Sequence, residues 1–67
     1  MKNSIKVERA KKNITQAELA KLVNVSRQTI NAIELGKYNP STVLALKMAE
    51  VFEQSVDSIF QLEDRDR

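Results

Sequence analysis

Four hydroxyl residues, Thr15, Ser26, Ser41 and Ser55, stand at the heads of short apolar-periodic stretches, and they divide the chain into brief helices. Thr15 is followed three residues on by Glu18, the spacing of a capping box, which predicts a helix over Gln16–Val23. Ser26 heads the next, about Arg27 to Leu35. Ser41 heads a longer one reaching about Phe52, and "SVDSIF" gives a short last helix from near Ser55. Upstream, Val7, Ala10 and Ile14 at apolar spacing predict a first helix over Ile5–Lys12. Asn24 falls where a helix must stop, and Asn tolerates the left-handed backbone that a C-terminal cap requires. The single glycine and single proline, Gly36 and Pro40, bracket "GKYNP", the longest loop signal. The expected fold class is all-α, five short helices in one domain over residues 1–67. The charged tail "EDRDR", 63–67, is expected to fray.

The inward stripes follow from a 3.6-residue period. They are Leu19, Ala20, Leu22 and Val23 in the second helix, Ile30 and Ile33 in the third, and Ala45, Met48, Ala49 and Phe52 in the fourth. Leu44, Leu46 and Val51 widen the fourth stripe beyond what one small core uses. A chain of 67 residues sits near the lower limit for a single unaided core, and it has no cysteine or histidine for a disulfide or a structural zinc. Self-association is the expected supplement. Leu44, Leu46, Val51, Ile59 and Phe60 are the candidate homodimer seam, preferred over the alternative that all of them are core.

The third helix carries the functional signal. A solvated face is ordinarily built from Lys and Glu, yet opposite Ile30 and Ile33 lie Arg27, Gln28 and Asn31, with Thr29 beside them. Gln and Asn offer a donor and an acceptor together, which matches the edge of adenine, and Arg matches O6 and N7 of guanine. Two short helices joined by a tight turn, the first small at Ala20 and the second polar outward, have the outline of a helix-turn-helix, here about residues 16–35. The competing reading leaves these side chains as idle surface. Charge distribution leans the same way as the motif: residues 1–37 carry eight Lys/Arg and three Glu, net +5, whereas 38–67 carry three Lys/Arg and six Asp/Glu, net −3.

The strings T-Q-A-E-L-A, V-S-R-Q-T-I-N and E-L-G-K-Y-N-P resemble the Cro/repressor-type helix-turn-helix family, also called the xenobiotic-response-element (XRE) family, over about residues 5–60. S-R-Q-T-I-N and K-Y-N-P-S are most similar to small stand-alone repressors of the cytolysin-repressor type. The resemblance implies a five-helix, lambda-repressor-like bundle that binds double-stranded operator DNA as a homodimer. It implies that Gln16 meets a phosphate, that Arg27, Gln28, Thr29 and Asn31, following Ser26, lie at base edges, and that Lys37, Tyr38 and Asn39 fix the backbone register. It pairs Arg9 with Glu34 as scaffold. Asn13 and Asn24 replace glycines common in that family, and Glu8 stands where an aliphatic is usual, so that "SIKV" is alternatively an extended arm. In the cytolysin-repressor type the chain ends form a small antiparallel β element, for which "SIKV" and "IFQLE" are the counterparts.

These features lead to the expectation of a sequence-specific transcriptional regulator, a repressor in the first instance. An antitoxin-type protein or a protein-interaction module on the same fold are the alternatives. No histidine, cysteine or Gly-rich phosphate loop supplies catalytic chemistry, so no enzyme, cofactor, metal or small-molecule ligand is expected. No apolar run reaches membrane-spanning length and cysteine is absent, which suits a cytoplasmic protein.

Overall fold

Three non-glycine residues with positive φ set the lengths of the helices: Asn13 (φ 56°), Asn24 (φ 63°) and Glu53 (φ 54°). Each ends a helix in the left-handed conformation and turns its N–H back onto the last turn, which satisfies carbonyls that would otherwise be left open. In the computed structural model, which describes residues 1–67, the order is β1 (Lys2–Asn3), α1 (Ile5–Lys12), α2 (Gln16–Val23), α3 (Arg27–Glu34), α4 (Thr42–Phe52), α5 (Val56–Ile59), β2 (Phe60–Gln61) and a terminal 3₁₀ turn, Asp64–Asp66. Three of the four hydroxyl residues cap as the sequence predicts, whereas Ser55 stands at the head of α5 without a capping bond and pairs with the Ser58 hydroxyl at 2.7 Å. Thr15 Oγ1 accepts from Glu18 N while Glu18 returns the bond to Thr15 N, and Ser26 and Ser41 accept from Thr29 N and Leu44 N.

The core gathers Ile5, Leu19, Ala20, Val23, Ile30, Ile33, Leu44, Met48, Phe52, Ile59 and Phe60, so every helix contributes. Burying an aliphatic side chain of this size stabilises by about 1.5–3 kcal/mol. β1 and β2 pair antiparallel, Lys2 opposite Gln61 and Asn3 opposite Phe60, and close the two chain ends over that core. No helix is long and apolar enough to cross a membrane.

Five expectations need correction. In α1 the inward face is Ile5 and Glu8, and Val7 is 55% exposed, because the first helix packs through the side that also carries Arg9. Glu8 is buried there, with Lys11 Nζ 3.1 Å from Oε2. Leu22 points outward at 61% exposure. Of the five proposed seam residues, Leu44, Ile59 and Phe60 are buried in the chain's own core, which leaves only Leu46 and the half-buried Val51 at the surface. The extended arm is Lys2–Asn3, since Ile5 already begins α1, and its partner is Phe60–Gln61 within "IFQLE". The tail is also held: the Met1 ammonium lies 3.1 Å from Glu63 Oε1 and 3.0 Å from Asp66 Oδ2.

Candidate nucleic-acid interface

The base of the site is a largely buried ion pair. Arg9, from α1, donates from Nε to Glu34 Oε2 at 2.7 Å and from its Nη2 to Oε1 at 3.1 Å, while its other terminal nitrogen reaches Ile14 O at 3.2 Å. The two side chains are 15% and 8% exposed. Hydrogen bonding to Glu34 holds the guanidinium above even its usual high pKa, against the opposing effect of burial. A two-point, charge-assisted contact of this kind fixes orientation as well as distance. It locks the end of α3 to α1, and Asn3 adds a second tie by donating to Ile33 O at 2.8 Å.

Above this pair, Gln16 spans α2 and α3. Its amide nitrogen donates to Glu34 Oε1 at 3.2 Å and to Asn31 Oδ1 at 3.1 Å. Those two bonds use both amide hydrogens, so the Gln16 side chain has no donor left for a phosphate. Nearby, the backbone N–H groups of Gln16 and Ala17, at the start of α2, have no acceptor within the helix.

The outer face of α3 is exposed at Arg27, Gln28 and Asn31, and neither Arg27 nor Gln28 has a protein partner for its polar head. Ser26 and Thr29 are otherwise occupied. Ser26 caps the helix and shares a 2.9 Å hydrogen bond with Thr29 Oγ1, so both act first as supports for the helix start. A hollow opens on each side of that start. One, about 560 Å³, is lined by Arg9, Asn13, Thr15, Gln16 and Arg27; the other, about 270 Å³, by Val25, Thr29, Tyr38, Ser41 and Lys47. Tyr38 is thus brought beside Thr29, whereas Lys37 and Asn39 border Met1, Arg65 and Asp66 of the tail. Lys47 was missed by sequence reasoning. It sits on α4, and the fold brings it to the hollow that Val25 and Thr29 also line.

Residues 5–59 match the family model described as helix-turn-helix. The chain is 55% identical over 64 residues to an uncharacterized HTH-type transcriptional regulator of Methanocaldococcus jannaschii, covering 96% of this chain and 97% of that one. A protein of the same description from Archaeoglobus fulgidus is 50% identical over 98% of this chain and 93% of its own. The Bacillus subtilis protein YgzD, also an uncharacterized HTH-type transcriptional regulator, is 44% identical over 96% and 97%. With the second and third helices set as the motif requires and the match running almost end to end, the chain belongs to the helix-turn-helix family, as one of its small XRE-type members.

Proposed function

We propose that the chain is a sequence-specific DNA-binding transcriptional regulator that represses by occupying a two-fold operator as a homodimer. The observation that carries this is the unpaired outward face of α3, where Arg27 and Gln28 present a guanidinium and an amide with no partner in the protein. A merely solvated helix has no use for such heads, whereas base edges in a major groove are complementary to them. The hollows near the α3 start are the places where the sugar-phosphate walls of that groove would lie. The free N–H groups of Gln16 and Ala17 face an anion in one, replacing the phosphate contact expected of the Gln16 side chain; Lys47 and Tyr38 serve the other, and Lys37 and Asn39, beside the tail, meet the backbone next to Tyr38. The names of the relatives support the regulatory role.

A dimer places two copies of α3 in successive major grooves, about 34 Å apart. Leu46 supports this, being 53% exposed at the rim of an apolar groove of about 260 Å³ that Ala45, Val56 and Phe60 also line. Exclusion of polymerase by an operator-bound dimer is a sufficient mechanism for repression.

Selection of bound duplexes from a random pool tests the reading. The expected product is a two-fold motif whose affinity falls linearly in log salt. Gln28→Ala should lose about 1–3 kcal/mol on that motif and blur one base pair, and Lys37→Ala should weaken all duplexes alike. A protein that binds no duplex at low salt, or binds every duplex equally, refutes it, and the first result is what a protein-interaction module gives.

A further inference from the structure

Asn3 has both ends of its side-chain amide engaged, and each partner fixes which end it meets. Ile5 N is a donor, so the atom 3.2 Å from it is Oδ1, and Ile33 O is an acceptor, so the atom 2.8 Å from it is Nδ2. The first bond serves the start of α1, where Ser4, in the capping position, turns its hydroxyl away to Ser58 O at 3.3 Å. The second crosses to the last turn of α3. Ile33 O also accepts from Gly36 N at 3.0 Å, so Asn3 joins the carbonyl at which α3 stops and the loop carrying Lys37, Tyr38 and Asn39 begins.

Asn3 is itself anchored independently of α3. It stands opposite Phe60 in the terminal ribbon, and the next residue, Ser4, donates its N–H to Ile59 O at 2.9 Å. Ile59 and Phe60 share the core with Met48 and Phe52 of α4. By contrast α3 packs chiefly against α2, and its other side-chain ties run to Arg9 of α1 and Gln16 of α2. The bond from Asn3 to Ile33 O is thus a direct polar link between α3 and the half of the molecule built from α4, α5 and β2.

We infer that Asn3 is a positioning residue for DNA reading: through its bond to Ile33 O it holds the end of α3 in a fixed place relative to α4, and so holds Arg27, Gln28 and Asn31 relative to Lys47. This rests on the role proposed above, in which Lys47 meets the sugar-phosphate wall while α3 meets the bases. Phosphate contacts set the register and base contacts carry the specificity, so the distance between the two groups decides whether the bases are read. A working constellation must be held to within about 0.5 Å. The Arg9–Glu34 pair acts on α3 through a rotatable side chain, whereas a backbone carbonyl moves only with the helix itself. Without the Asn3 bond the end of α3 is free to tilt, while the phosphate contact on α4 stays where it is.

The test compares Asn3→Ser and Asn3→Asp with the wild type. Both variants keep an oxygen for Ile5 N, and neither can donate to Ile33 O, because serine is too short to span the gap and a carboxylate only accepts. The serine variant also leaves the charge unchanged. Thermal melts confirm that each is folded at the binding temperature, with Tm lowered by less than about 10 °C. A duplex selected by the wild type and an unrelated duplex are then titrated across a salt series. Asn3→Ser should bind the selected duplex about tenfold more weakly, the worth of one misplaced base contact. It should bind the unrelated duplex within about twofold of wild type and with the same salt slope. Asn3→Asp should lower the ratio of selected to unrelated affinity by at least as much. A merely structural role lowers the folded fraction, which weakens both duplexes alike and leaves that ratio unchanged. An unchanged ratio in either variant therefore overturns the inference while leaving DNA recognition intact. A wild type that binds the selected and unrelated duplexes equally overturns the DNA-binding reading itself.

Discussion

Glu34→Ala is the most informative single change for the scaffold, because it separates a buried anchor from a decorative surface pair. Exposed ion pairs contribute roughly 0–1 kcal/mol, whereas removing one member of a buried pair costs about 3–5 kcal/mol by stranding the other charge. Arg9 and Glu34 lie nearer the second limit, with side chains 15% and 8% exposed and two direct bonds between them. In the variant, Arg9 keeps only Ile14 O, and Gln16 loses one of its two acceptors. Residual water access to Arg9 lowers the penalty, so a loss of about 2–3 kcal/mol is expected. For a chain of 67 residues, total stability is on the order of 3–10 kcal/mol. The loss would lower Tm by roughly 10–20 °C. Thermal and urea melts followed by circular dichroism measure it, with the urea m-value unchanged if only the folded state is affected. A double-mutant cycle with Arg9→Ala should return most of the loss as coupling between the two residues. If Glu34→Ala melts within about 0.5 kcal/mol of wild type, the pair behaves as an ordinary surface contact, and the anchoring role assigned to it is wrong.

Glu8→Leu should stabilise by about 1 kcal/mol, since it replaces a buried charge paired only with a largely exposed Lys11 by an apolar group on a core-facing position; a lower Tm in the same melts would show that the Glu8 contact is needed. Leu46→Glu should shift a micromolar dimer toward monomer in sedimentation without lowering the monomer's helicity, and unchanged mass would exclude the groove beside it as the seam. The tail contact should depend on pH at both ends. Hydrogen bonding to the Met1 ammonium holds Glu63 below the ordinary carboxylate range, and bonds to the Glu63 backbone and to Met1 do the same for Asp66. Hydrogen bonding to those carboxylates raises the ammonium above its usual value. Stabilisation by the carboxylates is therefore present above about pH 4 and lost as pH falls through their lowered values. That from the ammonium is present below about pH 8 and lost as pH rises through its raised value. Carboxyl and amide chemical shifts of Glu63–Asp66 should report release of the tail in both directions, and ordinary titration of both carboxylates would refute the pairing.

The helix boundaries were legible because their causes are local. A capping hydroxyl needs only the next three residues, and Asn24 needs only its own tolerance of positive φ. Which face each helix buries was less legible. Val7 and Leu22 look apolar enough to be core, but α1 turns inward the side carrying Ile5, Glu8 and Arg9, and α2 fills its inward face with Leu19, Ala20 and Val23, which leaves both residues outside. Leu44, Ile59 and Phe60 failed as seam residues for a related reason: so small a core consumes almost every large side chain within reach.

The candidate site divides along the same line. Arg27 and Gln28 were identifiable from residue type, because an exposed side chain with no partner keeps the chemistry it has in isolation. Gln16 and Asn31 were named as well, but how each is engaged was not legible, since it depends on a residue 15 positions away, and for Gln16 also on Glu34, 18 positions away. An amide has two chemically opposite ends, and a sequence names the amide without saying which end is free. Only the fold assigns the ends, through the acceptor-only carboxylate that Arg9 holds in place. Replacing Gln16 is therefore expected to free the Asn31 amide to turn, because the outer face of α3 is held by the hydrogen bonds behind it.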